Sequence, residues 1–130
     1  MIVADTSAVL DLLLRSRGVE ALERRLLGGG ASLHCPHVLD LEVAQVLRRY
    51  VLRGDLEATR AAQVLDDLAD LPLTRYPHQP FLPRIWQLRA NLTAYDAAYV
   101  ALAEVLPAPL VTRDARLASA PGHGAVVEVL

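Results

Sequence analysis

Four acidic residues, spread over the whole chain, end or interrupt apolar segments at positions where a carboxylate could do chemistry. They are Asp5, Glu42, Asp96 and Asp114. Carboxylate oxygens are ligands that Mg²⁺ and Mn²⁺ prefer, and a cation bound by several of them makes water a better nucleophile. Each residue also has an ordinary structural interpretation. The functional interpretation therefore requires the fold to bring all four together.

Asp5 ends the first apolar segment, where a strand pattern gives way to a helical one. Ile2 and Val3 are β-branched and apolar, as in a strand covered on both faces of a parallel sheet. Asp5 then lies at the carboxyl end of that strand, where open α/β sheets place their sites. The structural alternative is that Asp5 only caps the following helix, a role that contributes roughly 1 kcal/mol.

Glu42 lies within the clearest helical pattern of the chain, which spans residues 38–53. Val38 and Val46 lie one turn below and one turn above it, so the carboxylate belongs to an apolar face. A carboxylate in such a place is costly unless it is paired or bound to a cation. The alternative is a glutamate at the edge of that face, reaching solvent or pairing with Arg49.

Asp96 lies in the first turn of a second strongly helical segment. Thr93 precedes it by three residues, which is a variant of the capping box, a motif that normally has Glu or Gln at that position. That is its structural alternative. The functional interpretation is favoured because Asp96 projects between Tyr99 and Val100, on the face that a sheet-covering helix buries. The helix N-terminus also favours negative charge.

The sequence pattern around Asp5, an apolar strand followed by an acid and a helix, occurs again around Asp114 near the end of the chain. The apolar strand 110–112 ends in a hydroxyl and is followed by the acid and another helical turn. Helix capping is again the alternative interpretation. Arg113 and Arg116 flank this acid, and a guanidinium suits phosphate oxygens. Either arginine could orient a phosphate, or be a solvated charge.

The remaining pattern predicts an α/β domain. Strand-like segments alternate with helical ones, which favours a mainly parallel sheet of four to five strands. The predicted strands are 2–4, 31–35, 73–76, 110–112 and 125–129. If the first strand is central and the chain crosses back to the fourth, Asp5 and Asp114 face each other at the switch point. Helices on either side of that crossover can then add Glu42 and Asp96.

Composition narrows the class of protein. The 130 residues fit one domain, 1–130, and the formal net charge of −2 argues against a broad basic surface for nucleic acid. An apolar content of 53% favours association with a partner. The lone Cys35 fits a reducing compartment, and no apolar run approaches the length of a membrane span. We therefore expect a cytoplasmic protein with no membrane segment and no leader peptide.

Two predictions concern aromatic rings outside the acidic set. Trp86, in a helix expected from about residue 84 to 90, is predicted to pack in the interior. The four histidines lack the spacing of a zinc site and are predicted to be surface or loop residues. They are His34, His37, His78 and His123.

Taken with their neighbours, the four acids resemble those of the PIN-domain nucleases, particularly the VapC-type toxins of bacterial toxin–antitoxin pairs. The matching motifs are Asp5-Thr6-Ser7, Glu42 inside a helix, Leu92-Thr93-Ala94-Tyr95-Asp96-Ala97 and Thr112-Arg113-Asp114. The resemblance covers nearly the whole chain. It implies a three-layer α/β/α fold, Mg²⁺- or Mn²⁺-dependent cleavage of RNA, a homodimer, and a VapB-type antitoxin whose tail occupies the acidic groove.

The resemblance also assigns roles by position. It implies that Asp5, Glu42 and Asp96 are the main metal-binding acids and that Asp114 is the fourth. Hydroxyls that position water or carboxylate would be Thr6, Ser7 and Thr112. Some relatives carry a further acid or Asn a few residues beyond the fourth acid, where this chain has Arg116, Leu117 and Ala118. The number of bound ions therefore stays open.

Other classes of protein fit less well. A phosphoacceptor receiver domain relies on a lysine, and the thirteen basic residues of this chain are all arginine. An aspartyl phosphatase would have a second Asp two residues after Asp5, where Ser7 stands. The alternatives that remain are a PIN nuclease of RNA processing that is not a toxin, and a catalytically inactive PIN module that binds a cation and RNA.

Overall fold

Five parallel strands form the central sheet of the computed structural model, which describes all residues from Met1 to Leu130. The strands are Ile2–Ala4 (β1), Leu33–Pro36 (β2), Leu73–Tyr76 (β3), Leu110–Thr112 (β4) and Val127–Val129 (β5). Their order across the sheet is β3-β2-β1-β4-β5, and every neighbouring pair is parallel. This is the arrangement on which the hypothesis about the acids depended, with the first strand central and the switch point between β1 and β4.

The register of β1 with β4 aligns the carboxyl ends of the two strands at the switch point. Val3 pairs with Leu110, and Ala4 pairs with Val111. Asp5 is therefore level with Thr112, one residue beyond the end of β1. β1 is fully buried because its neighbours β2 and β4 and the helices on both faces cover it.

Seven helices and one 3₁₀ turn (Gln79–Phe81) cover the sheet. The helices are Thr6–Leu14 (α1), Glu20–Leu27 (α2), Val38–Arg53 (α3), Ala58–Asp70 (α4), Leu82–Gln87 (α5), Ala94–Val105 (α6) and Ala115–Ser119 (α7). The crossovers containing α1 to α4 run towards β3, and those containing α5 to α7 run towards β5. Since parallel crossovers are right-handed, the two groups lie on opposite faces. The result is the predicted three-layer α/β/α fold.

Local signals explain where the key helices begin and end. Asp5 is the N-cap of α1 and accepts a hydrogen bond from the Ala8 N–H. α3 ends at Gly54, whose φ of 78° lies in the left-handed region that glycine adopts without strain. α5 begins at Leu82, earlier than predicted, because Pro83 fits the first turn of a helix and does not exclude it.

The prediction that Trp86 packs in the interior is wrong. Its side chain is 67% exposed, and the guanidinium of Arg89 lies over the ring, 4.7 Å from its centroid. Ile85 and Leu88 take the inward positions instead. The reason is helical periodicity: Ile85 and Leu88 are three residues apart and share the inward face, and Trp86 lies about 100° round the helix from Ile85.

The surface prediction is also wrong for one histidine. His34 lies on β2 and is buried, with its ring nitrogens hydrogen-bonded to Ser32 Oγ and to the Tyr76 hydroxyl, each at 2.7 Å. The other three histidines lie outside the strands and are exposed or half-buried, as predicted. None of the helices has the combination of length and apolar character that crossing a bilayer requires.

Candidate active site

The structure places all four predicted acids in one cleft, at the carboxyl ends of β1 and β4. The cleft has a volume of about 320 Å³. Its lining includes Asp5, Glu42, Asp96 and Asp114 together with Thr6, Ser7, Asp11, Arg49 and Tyr99. Each acid arrives on a different element: the end of β1, the middle of α3, the first turn of α6, and the turn after β4.

Asp5 is the most buried acid, at 6% exposure, and hydrogen bonds hold both of its oxygens. Oδ1 accepts from the Ser7 hydroxyl at 2.7 Å and from the Ala8 N–H at 3.0 Å. Oδ2 accepts from the Thr112 hydroxyl at 2.5 Å. Burial raises the pKa of Asp5 and the charge of Asp96 adds to the rise, while these hydrogen bonds oppose it. Capping α1 and facing the cleft are thus two roles of one side chain.

Glu42 is half-buried and does not pair with Arg49. Its Oε1 accepts from the Thr6 hydroxyl at 3.0 Å and from the Tyr99 hydroxyl at 2.6 Å. Its Oε2 has no hydrogen-bond partner within the chain. Because no buried side-chain oxygen of the protein lacks a partner, Oε2 must be open to solvent, and Glu42 is one of the residues that line the cleft. Burial is the main cause that raises the pKa of Glu42, and the charges of the neighbouring acids raise it further.

The backbone N–H of Asp96 takes part in the N-terminal cap of α6, and its carboxylate forms no ion pair. Thr93 is the N-cap of α6, and its hydroxyl accepts from the Asp96 N–H at 3.1 Å. The Asp96 carboxylate is half-buried and takes part in none of the five ion pairs of the chain. Burial raises its pKa and the charge of Asp114 adds to this, against an opposing hydrogen bond from Thr93.

Asp114 differs from the other three acids because a cation already pairs with it. The Arg116 guanidinium lies 2.7 Å from Oδ2, and the Arg116 N–H donates to Oδ1. This pairing lowers the pKa of Asp114. The Asp114 N–H donates to Thr112 Oγ1 at 2.9 Å, which fixes the turn after β4.

Both predicted phosphate-binding arginines contact carboxylates. Arg113 pairs with Asp11 at 2.9 Å through its guanidinium, and its backbone N–H donates to Ser7 Oγ at 3.0 Å. Arg116 pairs with Asp114 as described above. Neither guanidinium is free at the cleft, so a phosphate would have to compete with an acid for it.

Sequence reasoning did not assign three further residues of the cleft. Tyr99, one turn after Asp96, is buried and donates to Glu42; its helical spacing from Asp96 is the signal that could have identified it. Asp11 and Arg49 also line the cleft. Arg49 lies two turns after Glu42 on α3, but spacing alone does not show that an exposed arginine faces a site.

The donor set suits a hard divalent cation, although no closed cage is preformed. Nowhere in the chain do three or more His, Cys, Asp or Glu side chains form a ready-made metal group. However, Glu42 and Asp96 line the cleft without forming an ion pair, beside the buried Asp5. Mg²⁺ usually takes one or two carboxylates and keeps several waters, so an open arrangement of this kind fits it.

Comparisons with known proteins identify the family to which this fold belongs. The family model described as PIN domain matches residues 2–122, and the chain belongs to the PIN-domain family. Ribonuclease VapC1 of Mycobacterium tuberculosis is 46% identical over 121 residues, covering 92% of this chain and 90% of the relative. Ribonuclease VapC12 of the same organism is 41% identical over 130 residues, covering 100% and 99%. Within its family, the chain is therefore a relative of the VapC ribonucleases.

A solved structure shows the same fold at low sequence identity. The crystal structure of VapBC2 from Rickettsia felis, bound to a DNA fragment from their promoter, contains a chain with a TM-score of 0.71 to this one. The two are 14% identical, and the match covers 99% of this chain and 98% of the other. At that identity the likeness concerns the fold alone.

Proposed function

We propose that this single-domain chain is a metal-dependent endoribonuclease that hydrolyses RNA phosphodiester bonds and acts as the toxin of a type II toxin–antitoxin pair. The observation that carries the proposal is the convergence of Asp5, Glu42 and Asp96 in one cleft, where burial, together with the charge of a neighbouring acid, raises the pKa of each. Such an arrangement is unfavourable without a cation. The ribonuclease names of the VapC relatives support RNA as the substrate.

Four carboxylates of the cleft would coordinate the cation. Glu42 and Asp96 offer oxygens without a cationic partner, Asp5 contributes a carboxylate held by Ser7 and Thr112, and Asp114 is the fourth acid. When bound, Mg²⁺ or Mn²⁺ would supply a more acidic water and neutralise the leaving oxygen. We leave the number of ions open, because the fourth acid is already paired with Arg116.

Arg116 is the better candidate for a phosphate contact. Its side chain is 87% exposed, and only the Asp114 region holds it. Once the charge of Asp114 is shared with a cation, the guanidinium can move to a phosphate oxygen. Arg113 is less exposed and tied to Asp11, so we propose that it acts by orienting the turn that carries Asp114.

We propose two protein partners, a cognate VapB-type antitoxin and a second copy of the chain. A VapBC structure is among the solved structures of this fold, which supports the antitoxin. Large apolar side chains that are more than half exposed support the homodimer. They include Leu41, Leu52, Leu82, Trp86 and Tyr95. The cytoplasm, where RNA is available and the lone Cys35 stays reduced, is the compartment we propose.

Cleavage of single-stranded RNA by the full-length chain, with Mg²⁺ or Mn²⁺ and with excess chelator, tests this function. We expect cleavage that requires the cation. An inactive cation- and RNA-binding module would bind RNA without cleaving it under any of these conditions. Induction in a bacterial host, with and without the neighbouring small gene, separates a toxin from a processing nuclease: a toxin arrests growth unless the neighbour is expressed.

A further inference from the structure

Three oxygen atoms from three helices meet at the inner wall of the cleft. Tyr99 on α6 donates its hydroxyl to Glu42 Oε1 on α3 at 2.6 Å. Thr6, in the first turn of α1, donates to the same oxygen at 3.0 Å, and the two hydroxyl oxygens are 2.8 Å apart. The two hydroxyls therefore link α1, α3 and α6 through a single carboxylate oxygen.

The hydroxyl of Tyr99 is not needed to fill the core. Tyr99 is only 2% exposed and its ring belongs to the main apolar cluster, where a phenylalanine ring would occupy the same space. Burying a hydroxyl is unfavourable unless it is hydrogen-bonded, and here its only partners are Glu42 and Thr6. The specific contribution of this tyrosine over phenylalanine is therefore its contact with Glu42.

The contact is asymmetric in a way that matters for a ligand. An ionised carboxylate only accepts, and the hydrogen bonds that Glu42 accepts from these two hydroxyls both end on Oε1. Oε2 receives none and is open to solvent. Oε1 of Glu42 is thus held by hydrogen bonds while Oε2 stays available to a ligand, and this fixes the plane of the carboxylate.

We propose that Tyr99 is a positioning residue of the cation site, whose hydroxyl, together with that of Thr6, holds Glu42 so that Oε2 faces Asp5 and Asp96. This rests on the proposed function, because it assumes that a cation is bound between these acids. Outer-shell hydrogen bonds of this kind orient metal ligands, and their loss typically lowers metal affinity or activity by about 10–100-fold.

The test compares Mn²⁺ binding, measured by titration calorimetry with the metal alone, in the full-length protein and in Tyr99→Phe. The matched control is Tyr76→Phe, which removes a hydroxyl hydrogen-bonded to His34 on a strand outside the cleft. We expect Tyr99→Phe to bind Mn²⁺ about tenfold or more weakly and Tyr76→Phe to bind it as the unaltered protein does. Thermal unfolding in chelator reports separately on the stability of each variant.

A kinetic readout distinguishes positioning from loss of structure. At low Mn²⁺, RNA cleavage by Tyr99→Phe should have a reduced kcat that high Mn²⁺ partly restores, with the KM for RNA unchanged. Thr6→Val removes the other donor at nearly constant volume, and it should shift Mn²⁺ affinity in the same direction. It serves as the second variant if Tyr99→Phe folds poorly.

Unaltered Mn²⁺ affinity in both Tyr99→Phe and Thr6→Val, in a protein that itself binds Mn²⁺ and cleaves RNA, would overturn the positioning role and leave the proposed function intact. If the unaltered protein neither binds Mn²⁺ nor cleaves RNA, the proposed function and this inference both fail.

Discussion

The Thr112 hydroxyl donates to Asp5 Oδ2 at 2.5 Å, which joins the ends of two adjacent strands that are 107 residues apart in the chain. Thr112 is fully buried, and its hydroxyl oxygen also accepts a hydrogen bond from the Asp114 N–H at 2.9 Å. One side chain therefore fixes the first acid of the site and the turn that carries the fourth. The switch point of the sheet depends on a specific hydroxyl as well as on strand order.

Replacing Thr112 by valine keeps the shape and removes this connection. Thr112→Val should lower the free energy of unfolding by about 1–3 kcal/mol, because a buried carboxylate loses a donor and an N–H loses its acceptor. Urea unfolding measures the change. Thr74→Val, at an exposed position on β3, is the control and should stay within about 0.5 kcal/mol of the unaltered protein. An equal effect of the two substitutions would contradict the role given to Thr112.

Asp96 should destabilise the protein when no metal is bound. Its pKa is raised in the folded state, so folding favours the protonated form, and stability is lost as the pH rises through that raised value. In chelator at pH 7, Asp96→Asn should therefore raise Tm by a few degrees. The gain should shrink as the pH approaches the ordinary Asp value of 3.8.

The control for Asp96→Asn is Asp67→Asn, at an exposed position on α4. It should leave Tm nearly unchanged at both pH values. A lower Tm for Asp96→Asn at pH 7 would mean that the carboxylate stabilises the metal-free fold, contrary to our account of the site.

The pH dependence of cleavage should report the three acids with raised pKa. Asp5, Glu42 and Asp96 must be ionised to hold a cation, and burial raises the pKa of each. At low Mn²⁺, activity should fall on acidification at a higher pH than exposed carboxylates would give. At saturating Mn²⁺ the profile should move to lower pH, because metal binding competes with protons. Profiles of kcat/KM that coincide at the two metal concentrations would argue against a shared cation site.

Removal of Arg116 tests its proposed contact with phosphate. The Arg116 side chain is largely exposed, so solvent screens its ion pair with Asp114 and Arg116→Ala should fold normally. We expect a several-fold rise in the KM for RNA, with little change in Tm. Arg17→Ala, exposed at the far end of α1, is the control. An unchanged KM in both Arg116→Ala and Arg113→Ala would remove the phosphate role from both residues.

The sequence predicted the placement of the four acids because each sits beside a strong local signal. Asp5 and Asp114 follow short apolar strands, and Glu42 and Asp96 interrupt the apolar faces of two clear helices. The order of the strands was an assumption at that stage, and the right-handed crossover rule then decides which face of the sheet each helix covers. Helical spacing places Tyr99 on the same face as Asp96, but it does not show which side chain of another helix Tyr99 contacts, and for that reason its contact with Glu42 was not predicted.

The wrong predictions have the same origin. Trp86 was placed inside because a large aromatic ring is normally buried, but Ile85 and Leu88 occupy the inward face of this segment and Trp86 points outward, where Arg89 covers it. His34 was placed outside because histidine is polar, but Ser32 and Tyr76 satisfy both ring nitrogens and permit burial. In both cases tertiary contacts outweighed a property of the single residue.

The most direct test of the site is RNA cleavage by acid-to-amide variants at saturating Mn²⁺, with Asp66→Asn on the exposed face of α4 as the matched control. Asp5→Asn and Asp96→Asn should each slow cleavage by about 100-fold or more, since even outer-shell partners of a metal site contribute 10–100-fold. Asp66→Asn should cleave at the rate of the unaltered protein. If all three variants cleave RNA equally fast, or if cleavage persists in excess chelator, the four acids do not form the cation-dependent site described here.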